Sequence, residues 1–232
     1  MKITVFGTGT VGRTIANRLD GLGHKVMIGT RDVMATSTRT DKDRYGGPSF
    51  SEWHSANRGI QLGTFADAAI FGDLIFNATN GEAALSVLSL AGSGTNGKVL
   101  VDLTNPLDFS QGMPPTLIAA YNNTNSLGEE IQSTFPLIKV VKALNTMWAG
   151  LMVNPSMLAN GDHNVFICGN DAEAKEQVKE SLREFGWKDD SILDLGDITA
   201  SRGMEMVLPL WVRIMMVYGN GAFNFKIEKM QT

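Results

Sequence analysis

Short apolar runs alternate with amphipathic stretches along residues 1–144. Within the runs, apolar residues follow one another without regular polar interruption, which is typical of strands buried on both faces. The stretches between them repeat apolar residues every three or four positions and predict helices. This alternation predicts an α/β fold with a doubly wound parallel sheet. The predicted strands span residues 2–6, 24–29, 59–63, 74–78, 99–103 and 138–144.

Local signals mark where several predicted helices begin. Thr64 has the chemistry of an N-cap for a helix over residues 64–71. Ser126 and Glu129 have the spacing of a capping box at the start of a helix over residues 126–135. Further helices are predicted over residues 14–22, 50–57 and 82–91.

The pattern changes after Asn145. Residues 165–195 repeat strand, helix and strand once more, and residues 199–218 predict a long final helix with apolar side chains around most of its circumference. Pro209 is expected to kink this helix, because proline lacks an amide hydrogen. We therefore predict two domains, residues 1–144 and residues 145–232, the second a small α/β extension that ends in a long apolar helix.

The first predicted strand runs directly into a glycine motif. Gly7, Gly9 and Gly12 have the spacing G-x-G-x-x-G, with an amphipathic helix and a second strand behind them. In such a unit the first glycine permits a tight turn, the second lets the backbone approach a pyrophosphate, and the third lets the helix pack on the strand. The motif predicts a Rossmann-type dinucleotide site in which Thr8, Thr10 and Val11 also contact the cofactor.

Composition and charge exclude several other classes of protein. The 232 residues carry a formal net charge of −4 with both signs interspersed, so no basic surface for nucleic acid or membranes is predicted. The single cysteine, Cys168, lies in a strand-like run and predicts a buried thiol. No leader-like segment, apolar run of ~20 residues or metal-ligand cluster stands out, so we expect a soluble, cytoplasmic protein.

The end of the second strand should decide which dinucleotide binds. Asp32 lies about 20 residues beyond the glycine motif, the distance at which a carboxylate binds the ribose of NAD. Thr30 and Arg31 come first, however, and a hydroxyl beside a guanidinium suits the additional phosphate of NADP. We favour NADP. The alternative is that Arg31 is only solvated and Asp32 caps the next helix.

Two further loops follow predicted strands at the edge where parallel sheets bind ligands. Thr79 and Asn80 follow the fourth strand, and Asn105 follows the fifth. Their amides and hydroxyls suit contacts with ribose or pyrophosphate. Each could instead be an ordinary helix cap or turn residue.

With these residues the chain resembles the F420-dependent NADP reductases, which pass hydride between NADP and the deazaflavin coenzyme F420. The same nucleotide-binding domain recurs in six-transmembrane metalloreductases. The resemblance extends over nearly the whole sequence. The segments that carry it are residues 7–12, 29–31 and 140–146, Ser201-Arg202, Pro209-Leu210 and residues 219–221.

The resemblance implies roles for particular positions. Residues 8–11 would hold the pyrophosphate, and Thr30 and Arg31 the 2′-phosphate. Thr79, Asn105 and Ala149 would line the nicotinamide side. Arg39 stands in for a lysine that the family carries a few residues after the arginine.

The chemistry beyond NADP is less defined by the sequence. Lys142 and Asn145 are candidates for a direct role beside the nicotinamide, and Lys142 could equally pair with a neighbouring carboxylate. An apolar wall for a flat acceptor is expected from five residues: Met147, Trp148, Met152, Met204 and Trp211. The alternative is that these side chains make core or dimer contacts. The predicted function is hydride transfer between NADP(H) and a flavin-like acceptor, such as a deazaflavin, or another small oxidant, in a homodimer. The alternative is a non-catalytic NADP(H)-binding redox sensor that acts through a protein partner.

Overall fold

The computed structural model describes residues 1–42 and 46–230. Most strands of the described chain form one eight-stranded sheet, and two short strands form a separate hairpin. The strands are β1 (Lys2–Phe6), β2 (Lys25–Thr30), β3 (Gln61–Thr64), β4 (Leu74–Asn77), β5 (Val99–Asp102), β6 (Leu107–Asp108), β7 (Thr116–Leu117), β8 (Lys139–Ala143), β9 (Val165–Gly169) and β10 (Ile192–Asp194).

The large sheet has the order β10-β9-β8-β5-β4-β1-β2-β3. Neighbouring strands are parallel except β8 and β9, which are antiparallel. The order reverses direction at β1, so the carboxyl ends of β1 and β4 border the crevice in which such sheets bind ligands. The predicted α/β Rossmann-type sheet is confirmed.

Helices cover both faces of this sheet. They are α1 (Thr10–Gly21), α2 (Val33–Ser37), α3 (Phe50–Ala56), α4 (Phe65–Phe71), α5 (Ala84–Ala91), α6 (Leu127–Thr134), α7 (Ala149–Val153), α8 (Ala172–Phe185) and α9 (Ser201–Tyr218). Thr64 caps α4 as predicted, in a capping box with Asp67. Ser126 caps α6 by accepting from the Glu129 amide, while the Glu129 carboxylate accepts from Ser126 and Arg202 side chains.

Adjacent residues of each central strand belong to opposite layers of the core. Val5 packs in the cluster on one face of the sheet and Phe6 in the cluster on the other, and Phe76 and Ile75 divide in the same way. Because both faces are covered, both kinds of position are apolar. This explains why the strands appear in the sequence as unbroken apolar runs.

The C-terminal part of the chain continues the same sheet through β9 and β10. The last helix, α9, buries one face, and that face includes the polar residues Ser201 and Glu205. Other apolar side chains of α9 stay exposed, so burial around most of its circumference is not observed. Within residues 1–42 and 46–230, no helix is long and apolar enough to cross a membrane.

Candidate functional site

The glycine loop connects β1 to α1 through contacts that leave no room for side chains. Gly7 has a φ of +113°, and a Cβ atom there would lie 2.5 Å from the carbonyl oxygen of Ala78. A Cβ atom on Gly12 would lie 2.1 Å from the carbonyl oxygen of Gly7. The first and third glycines therefore hold the turn and the helix against neighbouring backbone.

Gly9 differs from these two glycines, because an added Cβ would meet no atom of residues 1–42 or 46–230 within 4 Å. Gly9 is the N-cap residue of α1 and supplies no capping side chain, and the first turn of α1 contains no acidic residue. The amides of a first helical turn lack partners within the helix and, with the helix dipole, favour an anion. The open space over Gly9 therefore fits a pyrophosphate.

A cavity of about 530 Å³ lies over this loop. Among the described residues it brings together six predicted cofactor residues, with three cationic side chains and one carboxylate, in a chain that is acidic as a whole. An excess of positive charge around a cavity favours an anionic ligand. The lining residues are Thr8, Gly9, Thr10, Val11, Arg13, Arg39, Asp41, Lys42, Phe50, Ala78, Thr79 and Asn80.

Arg39 is held in this cavity from two sides. Its guanidinium lies over the Phe50 ring, 5.3 Å from the centroid, and Nη2 donates to the carbonyl oxygen and hydroxyl of Thr8 at 3.3 and 3.1 Å. A stacked guanidinium keeps its remaining donors in a fixed plane, the arrangement that binds phosphate well. Arg39 is thus better placed than its distance from the glycine motif in the sequence suggests.

The residues predicted for the 2′-phosphate lie outside the lining of this cavity. Thr30 is buried, and its hydroxyl is 2.8 Å from the Thr36 hydroxyl. Arg31 is exposed directly after β2. Asp32, the residue that would have indicated NAD, caps α2 by accepting from the Ala35 amide at 2.9 Å.

The loops after β4 and β5 repeat one local motif. Asn77 Oδ1 accepts from the Thr79 hydroxyl at 2.7 Å, and Asp102 Oδ1 accepts from the Thr104 hydroxyl at 2.7 Å. Thr79 lines the cavity, whereas Thr104 is buried. The two side chains at the strand ends also meet, with 3.4 Å between Asn77 Nδ2 and Asp102 Oδ1.

Asn105 and Asn145 form an amide pair. Asn105 Nδ2 donates to the Asn145 carbonyl oxygen at 2.9 Å, and Asn145 Nδ2 donates to Asn105 Oδ1 at 2.8 Å and to the Met204 carbonyl oxygen at 3.1 Å. Asn145 Oδ1 is buried and has no hydrogen-bond partner in the part of the chain that the structure describes. A buried acceptor without a partner is costly unless a ligand supplies a donor. Ala149, at the start of α7, is buried nearby in the sequence.

Lys142 is fully buried between two carboxylates. Its Nζ lies 2.7 Å from Asp102 Oδ2 and 2.7 Å from Glu205 Oε1, and all three side chains are inaccessible to solvent. Burial opposes the charged form, but the two carboxylates more than offset it and raise the pKa of Lys142. This is the carboxylate partnership that the sequence left open as the alternative to a direct role.

Glu205 also holds the start of α6. Its two carboxylate oxygens accept from the Leu127 and Gly128 amides at 2.9 and 3.0 Å. The carboxylate therefore joins α9, α6 and β8 in one buried contact. Sequence reasoning missed both Asp102 and Glu205, although each is a lone acidic residue in an apolar segment, and such residues are rarely buried without a partner.

The residues predicted as an apolar wall divide into two groups. Met147, Met152 and Met204 are core residues, as in the alternative interpretation. Trp148 and Trp211 line a second cavity of about 600 Å³ at the C-terminal end of α9.

In the core, burial raises the pKa of the Cys168 thiol to about 12, which agrees with an unreactive structural thiol.

Comparison with known proteins identifies the family. The model for NADP oxidoreductases of the coenzyme F420-dependent type matches residues 2–106. A crystal structure has been described for a "putative F420-dependent NADP-reductase" from Arthrobacter sp. FB24, whose sequence is 52% identical to this chain. The two structures superpose with a TM-score of 0.91 over 99% of this chain and 100% of that one.

Two curated relatives extend this comparison. The F420-dependent NADP reductase of Methanocaldococcus jannaschii is 26% identical over 100% of both chains. The rat metalloreductase STEAP3 is 31% identical over 90% of this chain, which spans only 38% of that protein's length. The chain therefore belongs to the family of F420-dependent NADP oxidoreductases and is an NADP-dependent oxidoreductase.

Proposed function

We propose that the protein transfers hydride between NADP(H), held over the glycine loop, and a flat, flavin-like acceptor bound beside α7 and α9. The observation that carries the cofactor site is the start of α1 at Gly9, where the N-cap residue has no capping side chain and Arg39 lies alongside the loop. The bound nicotinamide supplies the hydride chemistry. The protein contributes position and exclusion of water.

Within this site we assign the pyrophosphate to residues 8–11 and the 2′-phosphate to Arg31 and Arg39. Arg39 supplies a stacked, oriented guanidinium inside the cavity, and Arg31 supplies an exposed charge at the end of β2. Thr30 contributes through its bond to Thr36, which ties the end of β2 to α2. Gly7 and Gly12 shape the loop, and Asn80 lines the cavity beside Thr79.

Removing either arginine should weaken the binding of NADPH much more than the binding of NADH. We expect Arg39→Ala to raise the Kd for NADPH by about ten- to hundredfold, because a charge-assisted bond to phosphate contributes ~1.5–3 kcal/mol. Arg31→Ala should act in the same direction. The measurement is a fluorescence titration with each cofactor. Exposed Arg58, outside the cavity lining, provides the control Arg58→Ala, and equal losses for NADPH and NADH would contradict the assignment.

The nicotinamide side is assigned to Thr79, Asn105, Asn145 and Ala149. Asn145 Oδ1 is the acceptor that a carboxamide donor would satisfy, and Asn105 fixes the orientation of the Asn145 amide. Asn145 thus orients the ring that reacts. The Lys142 ammonium is fully buried between Asp102 and Glu205, so we assign it a supporting role instead of a direct one.

The acceptor is assigned to the cavity between Trp148 and Trp211. The Trp148 ring packs on Gly150, and Trp211 stacks on Phe223 with 5.2 Å between ring centroids. Two indoles around a largely apolar space suit a planar aromatic molecule. Trp148 is the N-cap residue of α7 and immediately precedes Ala149, which is assigned to the nicotinamide side.

Truncation of Trp148 should impair the acceptor and spare the cofactor. We expect Trp148→Ala to raise the KM for a flat acceptor by about tenfold, because the variant loses one aromatic stacking contact and its buried area. The Kd for NADPH should stay unchanged. Trp148→Phe should retain most activity. The activity of each variant is measured by stopped-flow oxidation of NADPH with deazaflavin, FMN, a quinone and a ferric chelate as acceptors. Tight NADPH binding without oxidation by any of them would favour the redox sensor.

We also propose a homodimer that uses the exposed face of α9. Met206, Leu210 and Val217 are 43%, 55% and 82% exposed and lie on one side of the helix. Light scattering at micromolar concentration should give twice the chain mass, and Leu210→Lys with Val217→Lys should give a monomer. Ile70→Lys, at an equally exposed apolar residue of α4, is the control. A monomeric wild-type protein would contradict the proposal.

A further inference from the structure

A continuous chain of hydrogen bonds runs from α9 along the carboxyl ends of β8, β5 and β4 to the cofactor cavity. It connects Glu205, Lys142, Asp102, Asn77 and Thr79 in that order. The first four side chains are fully buried, and only Thr79 lines the cavity. The buried contact between α9 and β8 is thereby connected to a group that lines the cavity.

Hydrogen-bond chemistry gives this chain a direction. An ammonium only donates and a carboxylate only accepts, so Asp102, bound by Lys142, accepts from its other neighbours as well. Asn77 must therefore turn its amide nitrogen toward Asp102, which leaves Oδ1 facing Thr79. Because an amide oxygen cannot donate, the Thr79 hydroxyl hydrogen is committed to Asn77.

We propose that Lys142, Asp102 and Asn77 are positioning residues that present the Thr79 hydroxyl to the dinucleotide as a hydrogen-bond acceptor. The inference rests on the proposed cofactor site. Its consequence is that Thr79 pairs with a donor of the cofactor, either a ribose hydroxyl or the carboxamide N–H. Thr79 does not bind the pyrophosphate through its hydroxyl, since phosphate oxygens at neutral pH only accept.

The neighbouring strand provides an internal comparison. Thr104 donates to Asp102 just as Thr79 donates to Asn77, with the same 2.7 Å between oxygen atoms. Thr104 is only 2% exposed and does not line the cavity. A loss of the hydroxyl at Thr104 therefore removes a similar internal bond without removing an acceptor from the ligand.

The first test measures the Kd for NADPH by fluorescence titration. Thr79→Val should raise it about five- to tenfold, the loss of one hydrogen bond, and Thr79→Ser should stay within about twofold of wild type. Thr104→Val should also stay within about twofold while lowering the melting temperature. An unchanged Kd for Thr79→Val, or equal losses for the two valine variants, would overturn the inference.

A cofactor analogue identifies the donor. The acetylpyridine analogue of NADP lacks the carboxamide N–H and keeps both hydroxyls of the nicotinamide ribose. If Thr79 accepts from the carboxamide, Thr79→Val should leave the Kd for the analogue unchanged. If Thr79 accepts from a ribose hydroxyl, Thr79→Val should raise the Kd for the analogue as much as it raises the Kd for NADP. Either result supports an acceptor role for the hydroxyl.

The positioning residues are tested by Asp102→Asn. An amide at position 102 can donate to Asn77, so the direction of the chain is no longer fixed, and Thr79→Val should then cost less than about twofold in this background. The same cost in both backgrounds would overturn the positioning role. If Asp102→Asn does not fold, the comparison of Thr79→Val, Thr79→Ser and Thr104→Val decides. Unchanged NADPH binding in Arg39→Ala would instead reject the cofactor site itself.

Discussion

Replacing Lys142 with methionine is expected to lower the free energy of unfolding by about 3–5 kcal/mol, because it leaves buried carboxylates without their cation. Asp102 and Glu205 both contact Nζ at 2.7 Å, and neither is accessible to solvent. The loss should loosen the attachment of α9 to β8 and α6 as well. Urea unfolding followed by circular dichroism measures it.

The matched control lies in the same strand. Lys139 pairs with Asp171 at the surface, with the two side chains 37% and 33% exposed, and solvent screens such a pair. Lys139→Met should therefore shift the unfolding midpoint only slightly. Equally small losses of unfolding free energy in both variants would mean that Lys142 stabilises the fold by packing alone, because methionine retains that packing.

The pH dependence of this contribution follows from the sign of the shift. Because the pKa of Lys142 is raised above its ordinary value of 10.5, its stabilisation is fully present below that pH and is lost only as pH rises through the folded-state pKa. Wild-type unfolding between about pH 6 and pH 9 should therefore show no step from this lysine. A step within this window that Lys142→Met removes would contradict the buried ion pair.

Alanine at Gly12 is expected to disrupt both the fold and NADPH binding. Its Cβ would lie 2.1 Å from the Gly7 carbonyl oxygen, a backbone atom that cannot move without opening the turn. We expect unfolding to become easier by about 1–3 kcal/mol, as for other overpacked sites, even though alanine favours helix. NADPH affinity should fall by more than about tenfold, since the turn sets the position of the pyrophosphate.

Two other glycines separate the causes of this loss. Gly9→Ala has open space and an ordinary φ of −78°, so we expect normal stability but roughly tenfold weaker NADPH binding, because the added methyl group occupies the space for the pyrophosphate. Gly21→Ala, at the other end of α1, should gain about 0.5–1 kcal/mol in stability and leave binding unchanged. Full NADPH affinity in Gly9→Ala would reject this loop as the pyrophosphate site.

The comparison of sequence and structure shows which residues could be interpreted in advance. Helix α8 begins and ends where its amphipathic pattern predicts, and Thr64 caps α4. The glycine loop and its place between β1 and α1 also followed from the spacing. The boundary proposed after residue 144 remains a prediction, and β9 and β10 extend the sheet across it.

The roles of several side chains could not be interpreted in this way. Arg39 reaches Thr8 across 31 positions of the sequence, and Lys142 reaches Asp102 across 40. Neither partnership has a local signal. The first depends on how the segment after α2 lies against the glycine loop, and the second depends on the pairing and register of β5 and β8. The place of Asn145 at the end of the sixth predicted strand makes it a candidate, but only the fold reveals its unpaired oxygen and its bond to Asn105.

The sequence by itself determined the class of fold and the glycine loop, and it predicted a preference for NADP. These depend on periodicity, on spacing within one turn and on the residue types at a strand end, all of which are local. The tertiary structure decided that Lys142 is an internal counterion, that Arg39 lines the cavity and that Thr79 faces it with an oriented hydroxyl. The physical reason is that burial and hydrogen-bond direction belong to groups of residues that only folding brings together.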